Sequence, residues 1–130
     1  MQILPAATPL SQPYWDAARE EKVVFQQCRR CATRWHPPMP MCPNCHATDY
    51  AWETAAGTGT IYTYTVVRHA THPAFQELPY VVAVVELDEG PRIVTNVKRC
   101  PPEQVHGGMR VGIFFEETAE GMKLAQAAPL

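Results

Sequence analysis

Four of the five cysteines form two C-x-x-C pairs within one short segment, and this feature limits the fold more than any other. The segment reads CRRCATRWHPPMPMCPNC and contains Cys28, Cys31, Cys42 and Cys45. A disulfide framework is typical of secreted, cysteine-dense chains, and a thioredoxin-like redox centre uses a single C-x-x-C at a strand-to-helix turn. Two pairs joined by a proline-rich arm fit neither arrangement, and they favour a metal site in which each pair forms one tight turn.

The chemistry of four sulfur ligands predicts which ion is bound and what it does. Four thiolates favour zinc or iron by softness and tetrahedral geometry. Zinc is the usual occupant of such a ribbon, and a rubredoxin-type iron is the alternative. Sulfur would fill all four positions and leave none for water or substrate, so we predict one structural zinc ion. His36 and His46 are close in sequence but are predicted to lie outside the ligand set.

Composition excludes several classes of protein. The chain has 130 residues, of which 46% are hydrophobic and 18% charged, which suits one packed domain or two very small ones. No apolar run approaches the roughly 20 residues of a membrane helix, and the N-terminal residues MQILPAATPLSQPYW do not resemble a signal peptide. We therefore expect a cytoplasmic protein. A net charge of −2 counts against a dedicated nucleic-acid-binding protein, which usually has a basic excess.

One segment, residues 11–22 (SQPYWDAAREEK), has a strong helix signal. Ser11 is a candidate N-cap. Tyr14, Trp15 and Ala18 have the three- and four-residue spacing of one apolar stripe. The stripe packs either on this chain or on a partner protein, which makes Tyr14 and Trp15 candidate interface residues.

From residue 57 onward the sequence alternates between strands and turns. The predicted strands are GTGTIYTYTVVRH, PYVVAVVEL, RIVTNV, MRVGIFFEET and GMKLAQA. Five strands with a long connection after the third are the layout of an OB fold, a small Greek-key barrel. We further predict that PYVVAVVEL is covered on both faces, and that Tyr62 and Tyr64 share one face of the first strand.

A basic cluster and a long loop are candidates for ligand or partner contacts. Arg29, Arg30 and Arg34 form the cluster, which either binds phosphate or a partner or is a solvated surface. The loop RHATHPAFQELP is long for a barrel hairpin, and long loops are often functional. Its Phe75 either anchors a partner or folds back onto the barrel. The fifth cysteine, Cys100, is expected to be inert, because a nucleophile needs a base within hydrogen-bond distance.

The order of these motifs resembles the family of zinc-ribbon OB-fold proteins, long known as a domain of unknown function. The resemblance is carried by PLSQPYWDAAREEK, CRRC, HPPMPMCPNC, GTGTIYTYTVV, PYVVAVVELDEGPRIVTNV and GMRVGIFFEE. It implies a mainly β fold with a helical segment at residues 1–22, a rubredoxin-like zinc ribbon at 23–54 and a five-stranded OB barrel at 55–130. The chain departs from the family's glycines at Lys22, Ala32 and His46; the last two follow C-x-x-C pairs, where a positive φ favours glycine.

The same resemblance implies acyl-CoA chemistry. Similar proteins are subunits beside thiolase-superfamily enzymes in acyltransferases, thiolase–synthase assemblies and aldolases, where the partner holds the catalytic groups. The resemblance thus implies a non-catalytic subunit of a hetero-oligomer that binds a thiolase-superfamily partner and helps to hold the CoA thioester. Arg29, Arg30 and Arg34 are the candidates for the CoA phosphates.

Two alternatives stay open at this point. OB barrels and zinc ribbons also bind single-stranded nucleic acid, and exposed tyrosines could stack on bases. A free-standing zinc enzyme would need an open coordination position. The sequence contains no paired carboxylates, no Ser–His–Asp pattern and no glycine-rich phosphate loop before a helix, so we do not expect this chain to catalyse a reaction alone.

Overall fold

Strands dominate the chain, which the computed structural model describes at residues 4–70, 72–74 and 77–130. The elements in this part are α1 (Gln12–Arg19), β1 (Val24–Cys28), β2 (Arg34–Trp35), β3 (Tyr50–Thr54), β4 (Thr58–Val67), β5 (Tyr80–Leu87), β6 (Arg92–Val97), a 3-10 turn (Pro102–Gln104), β7 (Arg110–Glu117) and β8 (Lys123–Pro129). The predicted mainly β class, with a helix, a cysteine-rich ribbon and a five-stranded barrel, is confirmed. No helix among these residues has the length and apolar character needed to span a membrane.

Helix α1 is shorter than predicted and packs on its own chain. The side chain of Ser11 does not cap it; its Oγ accepts a hydrogen bond from the N–H of Thr8 at 2.9 Å instead. After the helix, the backbone turns at Glu21, which has a φ of 59°. Ala18 is buried, and the Tyr14 ring centroid lies 5.2 Å from that of His36 in the ribbon.

The ribbon is a three-stranded antiparallel sheet in the order β2-β1-β3. Its central strand, β1, has two differently engaged faces. Phe25 and the preceding Val23 belong to the apolar core of the barrel, whereas Cys28 belongs to a separate cluster inside the ribbon. Since successive side chains of a strand point to opposite faces, one short strand serves both cores.

The five remaining strands form a closed barrel in the order β4-β5-β6-β8-β7. Burial along β5 alternates, with four inward residues buried and four outward residues half-buried. The prediction that this strand is covered on both faces is therefore wrong. Its near-continuous apolar character reflects partly exposed valines on the outer side of the barrel.

A β-bulge separates the two tyrosines of β4. The register with β5 shifts between Ile61 and Thr63. Tyr64 pairs with the buried Ala83 and so points inward, whereas the ring of Tyr62 lies 3.8 Å from the guanidinium carbon of the exposed Arg92. The prediction that the two tyrosines share one face is wrong, because the extra residue of a bulge changes the alternation.

The turn between β5 and β6 ties the ribbon to the barrel. On the barrel side, Asp88 holds this turn to β7 by accepting two hydrogen bonds from the guanidinium of Arg110, at 2.7 and 3.1 Å. This contact, with a hydroxyl bond from Thr58, lowers the pKa of Asp88 to about 2. The next residue, Glu89, accepts the N–H of Ala56 at 2.8 Å with its carboxylate and the guanidinium of Arg34 at 3.0 Å with its carbonyl.

Replacing Phe25 by alanine tests whether ribbon and barrel fold as one unit. The side chain is buried in the barrel core, so Phe25→Ala should lower the free energy of unfolding by about 3–5 kcal/mol. Thermal unfolding, monitored by far-UV circular dichroism, to which the barrel strands contribute, and separately by metal release from the ribbon, should keep a single transition. Phe114→Ala, at a half-buried position, is the matched control and should cost much less. Two separated transitions in the wild type would show that the shared core does not couple the two parts.

The contact between α1 and the ribbon should respond to pH through His36. Burial lowers the pKa of His36 to about 4, whereas an unfolded histidine has a pKa of about 6.5. The unfolded chain thus binds more protons between these values, and stability should fall as the pH drops from about 6.5 towards 4. His36→Gln should flatten this part of the stability-against-pH curve, while His106→Gln, at an exposed position, should leave it unchanged. An equal slope in all three proteins would contradict the assignment.

Candidate metal centre and its surroundings

Four cysteine sulfurs converge at one end of the ribbon. The Sγ atoms of Cys28, Cys31, Cys42 and Cys45 all lie within 4.8 Å of one another. The Cys28–Cys45 and Cys31–Cys42 sulfur pairs are each 3.5 Å apart. Ligands at the zinc–sulfur distance of a tetrahedral site are about 3.8 Å apart, so the donor set fits one zinc ion. Its thiolates would fill all four positions, which makes the role of the metal structural.

Each C-x-x-C pair forms the same tight turn. In both turns the carbonyl of the first cysteine accepts a hydrogen bond at 3.0 Å from the residue after the second cysteine, which is Ala32 or His46. Both residues have a φ of 65°, the left-handed conformation that glycine adopts at least cost. Ala32 and His46 therefore adopt a backbone conformation that costs a non-glycine residue free energy, and both turns form despite this cost.

Backbone and side-chain donors point at three of the sulfurs, and at Cys31 they favour the charged form. The N–H groups of Arg30 and Cys31 lie 3.4 and 3.5 Å from the Sγ of Cys28, and the second turn repeats this pattern around Cys42. Hydrogen bonds from the Thr33 hydroxyl and backbone, together with the Asn44 amide, lower the pKa of Cys31 to about 5. Donors to a thiolate stabilise it over the thiol, which is the state that binds a metal.

A buried glutamine holds the proline-rich arm that connects the two turns. Gln26 is fully buried in β1. Its amide donates to the carbonyl of Met39 at 2.9 Å and its oxygen accepts the Met39 N–H at 2.8 Å. Sequence reasoning missed this residue; the available signal was a polar position in the otherwise apolar run before Cys28, shared with Gln27 and followed by a proline-rich arm. The two bonds fix the arm so that a ten-residue insert closes the metal site.

The histidines near the cysteines lie outside the ligand set. Among the described residues, the cluster of ligand atoms consists of the four sulfurs alone. His36 packs against Tyr14, and His46 is exposed. The prediction that neither ligates the metal agrees with this arrangement.

The three candidate arginines lie around the ribbon but are engaged differently. Arg29 forms an exposed ion pair with Asp49 at 2.8 Å. Arg34 donates to the carbonyl of Glu89 and lies over the ring of Phe25. Arg30 is exposed, and its guanidinium makes no ion pair within the described part of the chain. Of the three, Arg30 is therefore directly available to an added phosphate. Arg29 becomes available when it exchanges its weak surface ion pair with Asp49 for the phosphate.

The remaining candidate residues are Trp15, Phe75 and Cys100. Trp15 is half-buried and lines a groove of about 460 Å³ beside Arg19 and Met122. Phe75 lies outside the described residues, so its predicted role as a partner anchor stays a prediction. Cys100 packs against the barrel core and donates to the carbonyl of Pro101 at 3.4 Å, which fits an inert thiol.

Removal of one buried ligand tests the structural role of the metal. Cys42 is completely buried, so Cys42→Ser should lose the zinc and, with it, the folded ribbon. Zinc should measure one per chain in the wild type by atomic emission. Cys100→Ser is the matched control and should retain both metal and stability. A folded Cys42→Ser protein with the wild-type melting temperature would contradict a structural site.

Comparison with known proteins covers both parts of the chain. Residues 15–51 match the family described as the rubredoxin-like zinc ribbon domain of ChsH2. Residues 52–116 match the family described as the C-terminal OB-fold domain of ChsH2. The two matches meet within β3, between Ala51 and Trp52.

Similar proteins include two curated relatives and one solved structure. A probable enoyl-CoA hydratase alpha subunit of Thermomonospora curvata is 48% identical over 89% of this chain, which spans only 36% of that protein. A DUF35 domain-containing scaffold protein of Methanocaldococcus jannaschii is 37% identical over 75% of this chain and 70% of its own length. A chain of the Ltp2-ChsH2(DUF35) aldolase is 41% identical and superposes with a TM-score of 0.88, over 97% of this chain and 98% of that one. With its four-sulfur ribbon and five-stranded OB barrel, the chain belongs to the DUF35 family, in the form that the ChsH2 domains define.

Proposed function

We propose that this chain is a non-catalytic subunit of an acyl-CoA-processing complex, in which it binds a thiolase-superfamily enzyme. The observation that carries the proposal is the near full-length match, at 41% identity, to a chain of the Ltp2-ChsH2(DUF35) aldolase. The name of the Thermomonospora relative, an enoyl-CoA hydratase alpha subunit, supports acyl-CoA as the substrate class. The thiolase-like nature of the partner rests on the family resemblance of the motifs.

The chemistry of the described side chains supports a binding role. The metal cluster has four sulfurs and therefore no open position for a substrate. His36 is half-buried and packs against Tyr14, and Asp88 is held by Arg110. These perturbed groups have structural partners, whereas a general acid or base must reach a substrate.

In the proposed complex, the ribbon contributes to binding of the CoA phosphates. Arg30 is the best candidate, because its guanidinium is exposed next to the rigid first metal turn. Arg29 can join it by exchanging Asp49 for phosphate, since exposed ion pairs contribute little. Arg34 is better assigned to the contact with Glu89. We place the complex in the cytoplasm, where a reducing environment keeps cysteines available for metal.

The nucleic-acid alternative has weaker support from the surface of the barrel. Tyr62 and Tyr64 point to different sides of β4 and so do not form one stacking platform. Arg92, beside Tyr62, is paired with Glu86 at 3.1 Å. Single-strand binding usually combines stacked aromatics with a positive groove.

Co-expression with a thiolase-superfamily protein encoded beside this chain tests the proposal. The two should co-purify as a complex of fixed stoichiometry by light scattering, and the partner's activity on a CoA ester should depend on this chain. Arg30→Glu should raise KM for the CoA ester roughly tenfold without dissolving the complex. Arg99→Glu, at an exposed barrel position, is the matched control. The proposal fails if the proteins never co-purify; salt-sensitive binding of labelled single strands would then favour nucleic acid.

A further inference from the structure

Strand β4 is longer than the neighbour that covers one of its edges. Its first three residues pair with β7, and backbone bonds to residues 108 and 109 continue this contact as far as Ile61. Beyond that point, Tyr62 is the extra residue of the bulge, and residues 63–67 pair with β5 on one side. On the other side, no backbone group within the described ranges hydrogen-bonds to them. An unpaired strand edge of this kind is a template for another strand.

The free half of β4 lacks the features that usually protect an edge. Natural proteins block such edges with lysines, prolines or bulges. From Thr58 to Val67 the sequence has no charged residue and no proline, and the bulge at Tyr62 lies just before the regularly paired residues 63–67. Residues 62–65 are four consecutive exposed positions. Tyr62 is 57% exposed, and Tyr64, although directed inward, is 39% exposed.

The sheet face beside this edge carries no charge. It consists of two rows of outward residues across β4, β5 and β6, named here the uncharged face: Thr63, Val84 and Val94, then Thr65, Val82 and Asn96. Val94 is 73% exposed. The amide of Asn96 is turned back onto the carbonyl of Val81 at 3.0 Å, so the face presents valine side chains together with the threonines of the edge.

We propose that the free edge of β4 and the uncharged face form the docking surface for the thiolase-superfamily partner. This inference rests on the function proposed above. The occupant is an extended, uncharged segment of that partner. It adds a strand to β4 through main-chain hydrogen bonds and lays apolar side chains across Val84 and Val94. A neutral surface suits such a segment, whereas nucleic acid requires cations that neutralise phosphates. Tyr14 and Trp15, both half-buried on their own chain, are then secondary to this surface.

Lysine substitutions on the docking surface test this assignment. Thr65→Lys places on the edge the residue that natural edges use for protection, and Val94→Lys places a charge at the centre of the uncharged face. Each should weaken binding to the co-expressed partner about tenfold or more, because the charge would be buried without a counter-ion. Thr54→Lys, at an exposed position of β3, is the matched control. All three positions are exposed, and zinc content and melting temperature will verify folding.

Hydrogen exchange provides a second measurement that a simple steric effect would not reproduce. Amides of residues 62–67 should gain protection in the complex relative to the free chain. If the wild type binds and the two docking-surface variants bind equally well, the surface is wrong while the proposed function stands. If the wild type does not bind the partner, both fail. Two other results would overturn the proposal by assigning the surface to another occupant. One is a dimer of this chain alone that either substitution abolishes. The other is binding of labelled single strands that either substitution abolishes.

Discussion

Strand β1 is the physical connection on which the rest of the molecule depends. One of its faces presents Gln26 and Cys28 to the ribbon, where they fix the proline-rich arm and the metal. The other face presents Phe25 to the barrel core. Because side chains alternate along a strand, five residues are enough to join a metal centre to a β-barrel without a linker. The ribbon therefore has a fixed position on the barrel.

This connection makes metal binding and barrel stability interdependent. A ligand that binds only the folded state stabilises every part that unfolds with it, and thiolate donors bind zinc with a large free energy. The turn at Glu89 adds a polar contact across the same junction, because its carbonyl accepts a hydrogen bond from the guanidinium of Arg34. Zinc in this chain thus supports the barrel as well as the ribbon, even though the ion lies outside the barrel core.

Local patterns allowed much of this fold to be predicted from the sequence. The spacing of the cysteines depends only on the geometry of a tight turn, and the five barrel strands follow from alternation and turn residues. The interactions that were missed join distant residues. Gln26 bonds to Met39 across thirteen positions, and Arg34 reaches Glu89 across fifty-five. No local pattern encodes such pairs, which is why Arg34 resembled a free phosphate ligand in the sequence.

The bulge in β4 shows how a single residue redirects an inference about function. Without it, Tyr62 and Tyr64 would lie on one face and resemble a platform for bases; with it, Tyr62 moves beneath Arg92 and Tyr64 turns inward. What is left outside is an uncharged edge and face on the barrel, joined rigidly to the arginines of the ribbon. In the proposed complex, docking of that face would place Arg30 at a fixed distance from the partner's reaction site. A preorganised cation of this kind binds phosphate without the entropy cost of ordering a flexible arm, so a rigid zinc ribbon would be useful to the non-catalytic subunit that we propose.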